Sequence, residues 1–328
     1  MFEWSKQVIL LTGGTGSFGQ AFTKYLLKKQ PPKSLRIYSR DEYKQYLMQQ
    51  KFNHRALRYF LGDVRDIDRL RRAMSGVSLV IHAAAMKQIV ASEYNPTEAV
   101  KTNIFGTMNV LNVALDYDIE RVFGLITDKA VSPINLYGAT KLCMEKLLIQ
   151  GNAYRGKCKT KLSCIRYGNV AGSRGSIIPL FSKQQRKGFI TLTHPEMTRF
   201  WLTLEDAVSY VIRSIEIMKG GEVFIPKMPS FKIIDLIKAI NPKLRHKLIG
   251  VRPGEKIHED LINIHESKNI RELPKHFVLL PEFDFWDDPG KEYKVGKNVS
   301  ATFSYSSNNN SHFLSHTQLA QLLKTIEL

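Results

Sequence analysis

The sequence predicts an α/β fold, a doubly wound parallel sheet followed by a smaller C-terminal domain, from three observations. Through the first half of the chain, short β-branched runs alternate with longer amphipathic ones. A glycine-rich turn, "TGGTGSFG", joins the first apolar run to the first amphipathic one. Beyond about residue 170 the alternation stops, and Gly172, Gly175, Pro179, Pro195, Pro226, Pro229, Pro242, Pro253, Pro274, Pro281 and Pro289 divide the chain into shorter elements.

Taken in order, "QVILLTGG" (7–14) is a continuous apolar run ending in glycines and reads as a buried strand. Residues 17–29 follow as a helix, "SLRIYSR" (34–40) as the second strand, 42–52 as a helix and "LRYFLGD" (57–63) as the third strand. The pattern continues with a helix over 66–74, a strand "SLVIHAAA" (78–85), a helix over 95–116 and a strand "RVFGLIT" (121–127). A helix over 136–154 and a strand "KLSCIRYGN" (161–169) complete it. Strands separated by helices of this length pair in parallel through right-handed crossovers. The polar stretch "SYSSNNNSHF" (304–313) reads as a solvated loop.

Composition narrows the function. At 328 residues the chain buries a sizeable core as one large or two modest domains. No apolar run approaches the roughly 20 residues of a membrane helix, and "MFEWSKQVILLTGG" lacks the features of a signal peptide, so a cytoplasmic location and no membrane partner are expected. Cys143, Cys158 and Cys164 have no C-x-x-C spacing, so free thiols are expected rather than a disulfide or a metal site. The balance of 48 Lys and Arg against 30 Asp and Glu gives a formal charge of +18, but the basic residues are scattered and carry no nucleic-acid motif. A basic cleft for nucleotide cofactors and nucleotide sugars explains the surplus without nucleic acid.

Gly13, Gly16 and Gly19, with Gly14 offering a second frame, stand between the first strand and the first helix. There glycine permits a tight turn and lets a pyrophosphate reach backbone N–H groups at a helix N-terminus. Such placement marks a dinucleotide-binding Rossmann domain, with Gly13, Thr15, Gly16, Ser17, Phe18 and Gly19 as cofactor contacts. The second strand ends "SRDEYK", where Ser39, Arg40 and Lys44 offer donors to a 2′-phosphate while Asp41 favours a 2′-hydroxyl. On balance NADP is expected. Asp63 and Val64 are expected to frame the adenine, and Ala83 and Ala85 of "HAAA" to let the backbone pass close to the nicotinamide ribose, with Val170 nearby. His82 on this apolar strand is read as a packed residue. The cofactor domain is placed at 1–170, with 198–226 returning to it; 171–197 and 227–328 are assigned to a substrate-binding domain.

In "LITDKAVSPINLYGATK" (125–141), Tyr137 and Lys141 are spaced i, i+4 and share one helix face. A lysine ammonium beside a phenol lowers the phenol's pKa, and a phenolate takes a proton from a sugar hydroxyl as hydride leaves the same carbon. With the upstream glycine turn, this pattern resembles the extended short-chain dehydrogenase/reductase superfamily. Asp128-Lys129 at the end of the preceding strand sharpens the resemblance to nucleotide-sugar 4,6-dehydratases, which need an acid and a base there. Asp-Lys in place of Asp-Glu, together with Tyr137, is similar to the inverting UDP-N-acetylglucosamine 4,6-dehydratases that open pseudaminic acid biosynthesis. "YSRDEYK", "GDVRD", "EYNPTEAVKTNI", "RYGNVAGSRGS", "MTRFW" and "RPGEKIHE" extend the likeness over nearly the whole chain. Ile126, where the family often has serine, and "MKQIVASEYN" depart from it.

The resemblance implies a lyase that turns UDP-N-acetylglucosamine into UDP-2-acetamido-2,6-dideoxy-β-L-arabino-hex-4-ulose. Tyr137 takes the C4 hydroxyl proton, assisted by Lys141 and Thr127. Lys129, if held neutral, removes the C5 proton, and protonated Asp128 serves the departing C6 hydroxyl. The hydride taken from C4 by the cofactor returns to C6. Lys87, Asn169, Arg174, Arg199, Arg252 and Glu255 would contact the UDP-sugar, although Arg199 equally suits a structural ion pair. Family habit implies a homo-oligomer. The rivals are a retaining dehydratase or 4-epimerase of the same fold, and a catalytically idle dinucleotide sensor. Intact Asp128, Lys129, Tyr137 and Lys141 argue against the idle protein.

Overall fold

The computed structural model of the chain describes residues 2–173, 177–186, 188–283, 285–286 and 296–324. Its first half is a regular alternation: β1 (Val8–Thr12), α1 (Ser17–Lys29), β2 (Ser34–Ser39), α2 (Glu42–Lys51), β3 (Leu57–Leu61), α3 (Ile67–Met74) and β4 (Leu79–His82). Next come α4 (Ile89–Tyr94), α5 (Pro96–Val100), α6 (Gly106–Asp116), β5 (Arg121–Leu125), α7 (Leu136–Gln150) and β6 (Lys161–Ile165). The later elements are shorter: α8 (Ile177–Gln185), β7 (Phe189–Leu192), β8 (Thr198–Phe200), α9 (Leu204–Ile217), β9 (Val223–Pro226), β10 (Ser230–Lys232) and α10 (Ile233–Ile240). The chain continues through β11 (Arg245–Leu248), β12 (Asp260–Ile262), β13 (Ile270–Glu272), β14 (His276–Leu279), β15 (Lys297–Asn298), β16 (Tyr305–Ser306) and α11 (His316–Leu323).

Among the described residues the large sheet runs β15-β13-β14-β9-β6-β5-β4-β1-β2-β3. From β3 to β9 every neighbouring pair is parallel. The order reverses between β1 and β4, the topological switch point where open α/β sheets place their ligand crevice. The apolar runs of β1 and β4 are wholly enclosed, with Ile9, Leu10, Leu11, Val80 and Ile81 at 0% exposure, as a parallel strand covered by helices on both faces requires.

Two differences from the sequence reading have physical causes. The helix expected over 95–116 is interrupted by a π-turn at Lys101–Phe105, which directs Asn103 inward. Its amide accepts from Met86 N (2.8 Å) and donates to Met86 O (3.0 Å) and Thr140 Oγ1 (2.9 Å), tying the loop after β4 to α7. Residues 270–272, 276–279 and 297–298, grouped by sequence with the smaller domain, instead extend the large sheet: β14 pairs antiparallel with β9, and β13 with β14 and β15. The added strands cover the β9 edge, which would otherwise present unpaired backbone groups.

A second apolar cluster, including Ile178, Phe181, Ile190, Trp201, Phe231 and Leu236, lies apart from the core of the large sheet and draws on α8, β7, β10, α10, α11 and the residues flanking β8. Arg166, 1% exposed and directly after β6, ties the large sheet to α7 and to the segment that runs from β12 to β13. Its guanidinium bonds both Glu145 oxygens at 2.6 Å, both Glu266 oxygens at 2.7 and 3.0 Å and Leu261 O at 3.0 Å. Such bidentate pairing is what a buried guanidinium needs. Among the described residues no helix is long and apolar enough to cross a membrane.

Candidate active site

A cavity of about 840 Å3 opens along the C-terminal ends of β1, β2, β4, β5 and β6. Gly13, Thr15, Gly16, Ser17, Phe18 and Gly19 form one wall. The glycines are required by close approach. Gly13 has φ +66°, and an added Cβ would sit 2.9 Å from Ala84 N; at Gly19 it would sit 2.2 Å from Gly14 O. Gly16 is the N-cap of α1 without a side-chain capping bond, so the helix N-terminus faces the cavity with backbone donors. This cradle fits a pyrophosphate.

Ser39, Arg40, Asp41 and Lys44 line the cavity beyond β2. Asp41 is occupied locally: it caps α2 by accepting from Lys44 N (2.9 Å) and pairs with the Lys44 ammonium. Arg40 is left more open, with 57% of its side chain exposed and Nη1 3.5 Å from Asp63 Oδ2. Asp63 and Val64 lie on the same wall. Burial works against charge on Asp63, but Arg65 and Arg40 hold its carboxyl below the usual range.

Ala83 and Ala85 also line the cavity, and the histidine before them is structural. Thr12 Oγ1 accepts from Ala83 N and Ala84 N, both at 3.2 Å, so it donates to His82 Nδ1 at 2.8 Å. His82 Nε2 then donates to Thr107 Oγ1 at 3.1 Å, and Thr107 donates to Asn103 O at 2.6 Å. Burial, followed by the charge of Lys141, lowers the His82 pKa to about 3, so the ring is a neutral link in this chain.

At the far end of the cavity, Thr127 N-caps a single 3-10 turn, Asp128–Ala130, that directly follows the β5 edge. Asp128 is 1% exposed, and its Oδ1 accepts from Thr127 Oγ1 (2.8 Å) and Lys129 Nζ (3.1 Å), while Oδ2 has no partner. Lys129 Nζ also donates to Asn169 Oδ1 (3.2 Å) and lies 3.4 Å from Glu259 Oε1. Burial opposes charge on Lys129, but the carboxylates of Asp128 and Glu259 outweigh it and hold the ammonium above lysine's usual pKa. The neutral amine expected of a C5 base is therefore not the form this arrangement favours.

Tyr137 and Lys141 lie in the first turns of α7, which Asn135 caps through Gly138 N (2.8 Å). The amide of Asn135 donates to Gly254 O (2.8 Å), anchoring the "RPGEK" loop to the start of this helix, and Lys256 Nζ donates to Val131 O (2.7 Å). Burial pushes the Tyr137 pKa up to about 12, and the cation that opposes the rise is Lys129. The expected influence of Lys141 is not found, because its Nζ is turned to Leu125 O (2.7 Å) and Met144 Sδ (3.3 Å). Burial lowers the pKa of Lys141 itself to about 8.

Lys87, Asn169 and Val170 line the large cavity. Asn169 and Val170 also line an adjoining cavity of about 180 Å3 with Arg199, Arg252 and Glu255. Arg199 is 7% exposed and donates to Thr198 O, Ile257 O and Lys256 O, with Glu255 and Glu259 each 3.7 Å away. Arg174 lies outside the described residues. Sequence reasoning overlooked Glu259, Asn135, Lys256 and Asn103, which hold the site's segments together. "RPGEKIHE" contains two of them, but nothing local marks a buried acid there.

The profile of the family described as polysaccharide biosynthesis protein matches residues 9–281. A UDP-N-acetylglucosamine 4,6-dehydratase (inverting) of Campylobacter jejuni subsp. jejuni is 45% identical, the match covering 99% of each chain. A UDP-glucose 4-epimerase of Rickettsia rickettsii is 39% identical over 98% of this chain and 96% of its own. Among solved structures, Pen from Bacillus thuringiensis superposes with a TM-score of 0.90 at 37% identity, covering 99% of this chain and 98% of that one. The protein is a member of the polysaccharide biosynthesis protein family.

Proposed function

We propose that the protein is an NADP-dependent UDP-N-acetylglucosamine 4,6-dehydratase that inverts C5. The observation carrying this reading is the Asp128–Lys129 pair, 3.1 Å apart at the end of β5 and beside Tyr137. A 4-epimerase, whose sugar keeps its C6 hydroxyl, has no use for an acid and a base at this point. The 45% identity to a protein of that name, over the full chain, supports the same choice. Arg40 at the mouth of the cavity, with Asp41 engaged by α2 and Lys44, supports NADP over NAD.

Gly13, Thr15, Gly16, Ser17, Phe18 and Gly19 would hold the dinucleotide's pyrophosphate, and the bound nicotinamide would supply a hydride acceptor for C4 and, once reduced, a hydride donor for C6. Tyr137 takes the C4 hydroxyl proton as its phenolate, formed by release of the phenol proton to solvent before the sugar binds and stabilised by the Lys129 ammonium, with Thr127 in hydrogen-bond reach of the phenolic oxygen. The resulting ketone acidifies C5. Lys129 and Asp128 rest as ammonium and carboxylate, and one proton moving from Nζ to Oδ1 converts them to amine and acid: an N–H bond breaks and an O–H bond forms. Exclusion of water by the sugar favours that neutral pair, since desolvation penalises separated charges. The amine removes the C5 proton, and the acid protonates the departing C6 hydroxyl, which leaves as water; as hydride returns to C6, C5 takes a proton on the opposite face, balanced by the one Tyr137 gives up, directly or through solvent, as its phenolate is restored. Lys87, Asn169, Arg174, Arg199, Arg252 and Glu255 are assigned to the UDP-sugar. Arg199 acts there mainly by holding the loop that carries Glu255.

Incubation with UDP-N-acetylglucosamine in deuterated water, followed by proton NMR, tests this. A C6 methyl group with deuterium at C5 is expected; inversion at C4 with an intact C6 hydroxymethyl would establish an epimerase, and an unchanged sugar with bound cofactor a sensor. Lys129→Ala should abolish methyl formation and leave cofactor affinity within about threefold.

A further inference from the structure

Glu259 is as thoroughly buried as Asp128, at 2% exposure, yet no motif assigns it a task. Its Oε1 faces two cations, Lys129 Nζ at 3.4 Å and Arg199 Nε at 3.7 Å, while Oε2 has no partner. The backbone beneath it is pinned on both sides: Glu259 N donates to Ser307 Oγ (2.9 Å) and Ser307 N donates to Glu259 O (2.8 Å). A half-satisfied carboxylate in the interior costs stability. Its placement at the lysine amine is what accounts for it.

We propose that Glu259 is a positioning residue for the dehydration, fixing the Lys129 amine between Asp128 and Asn169 and keeping their shared proton inside the Asp128–Lys129 pair. The inference rests on the dehydratase reading. That pair works only while it holds one proton between its two members. With the proton lost, the amine can act as a base but Asp128 has nothing to give the C6 hydroxyl. A fixed negative charge beside Nζ opposes that loss. The charged and titratable groups facing this point are Asp128 and Lys129 on the 3-10 turn, Tyr137 on α7, Arg199 on β8 and Lys256 on Glu259's own loop. Burial raises the pKa of Glu259, and the charges of Lys129, Arg199 and Lys256 pull against that rise. Arg199 thus acts on the reaction through Glu259.

The test is Glu259→Gln, which keeps shape and removes charge, with Glu259→Asp, which keeps the charge and withdraws it by one methylene. In a single turnover with NADP and UDP-N-acetylglucosamine, the transient near-ultraviolet absorbance of the reduced cofactor reports the Tyr137 step, and methyl formation reports elimination. For Glu259→Gln we expect the first within about threefold of the unaltered enzyme, the second slowed about tenfold or more, and the alkaline limb of elimination moved to lower pH by roughly one unit. Glu259→Asp should restore part of the rate. An unchanged elimination rate and pH profile in Glu259→Gln overturns the proposal, as does equal loss of both steps in a protein that melts normally. Should Glu259→Gln not fold, the elimination rate and profile of Glu259→Asp decide alone: slowed elimination supports the role, and unaltered behaviour overturns it. If the unaltered enzyme forms neither reduced cofactor nor methyl, the dehydratase reading itself has failed and takes this role with it.

Discussion

Gly138, the residue after Tyr137, offers a direct perturbation of the site. A Cβ added there would lie 2.2 Å from Lys129 O and 3.1 Å from Pro133 Cβ. Ordinary contact begins near 3.4 Å, so one side must move by about 1 Å. The helix is the stiffer side. Its N-terminus is held by Asn135 to Gly138 N, by Asn135 to Gly254 O and by Leu136 N to Glu93 Oε1. What yields is the single turn that carries Asp128 and Lys129. Overpacking of this kind costs about 1–3 kcal/mol, and a 1 Å misplacement of reacting groups costs about 100-fold in rate. Gly138→Ala should therefore lose about 1–3 kcal/mol in urea unfolding and about 100-fold in methyl formation. Cofactor affinity by calorimetry should stay within about threefold, because the Gly13–Gly19 cradle forms a different wall of the cavity. Full turnover with a stability change below about 0.5 kcal/mol would refute the claim that the close approach of α7 sets the position of the acid-base pair.

Two further outcomes follow from the same geometry. Burial lowers the Lys141 pKa from 10.5 to about 8, a penalty on the order of 3 kcal/mol for its charged form. That penalty is full below pH 8 and is relieved as pH rises towards 10.5, where only the unfolded chain still binds the proton. The stability advantage of Lys141→Met over the unaltered protein should shrink across that interval, and a difference independent of pH would contradict the assignment. Arg40→Ala should weaken NADP binding at least about tenfold while leaving NAD within about threefold, measured by titration calorimetry; equal losses for both would remove the 2′-phosphate role.

The extent to which the fold could be read from the sequence follows from how local each signal is. Helix α1 was expected at 17–29 and spans Ser17–Lys29, because a glycine turn before it and a lysine-rich end bound it within a few residues. The walls of the large cavity were equally accessible, since each lies within a turn of the end of a parallel strand. The break at Lys101–Phe105 was not, because it depends on Asn103 meeting Met86 and Thr140, contacts made only once α7 is in place. The hairpin that caps β9 was missed for a similar reason: edge coverage is a property of the sheet, and Ile270–Glu272 is too short to announce itself. The i, i+4 spacing correctly placed Tyr137 and Lys141 in adjoining turns, yet the cation acting on the phenol is Lys129, brought in from the preceding turn. Glu259 is the extreme case, since a glutamate in a polar loop carries no mark of its burial.

The charge state of Lys129 bears on the order of the proposed chemistry. An ammonium cannot take a proton from carbon, so with the ion pair intact the hydroxymethyl sugar is safe from the base. Before oxidation at C4 the C5 hydrogen is not acidic either, and the two restraints act together. Formation of the ketone removes one of them. The other is removed by a single proton crossing the 3.1 Å between Nζ and Asp128 Oδ1, and that crossing creates the acid that elimination needs in the same event. A permanently neutral lysine would leave Asp128 to find its proton elsewhere, inside a pocket from which the sugar has displaced water. In the proposed reaction the ion pair that disables the base at rest is the store from which both the base and the acid are drawn.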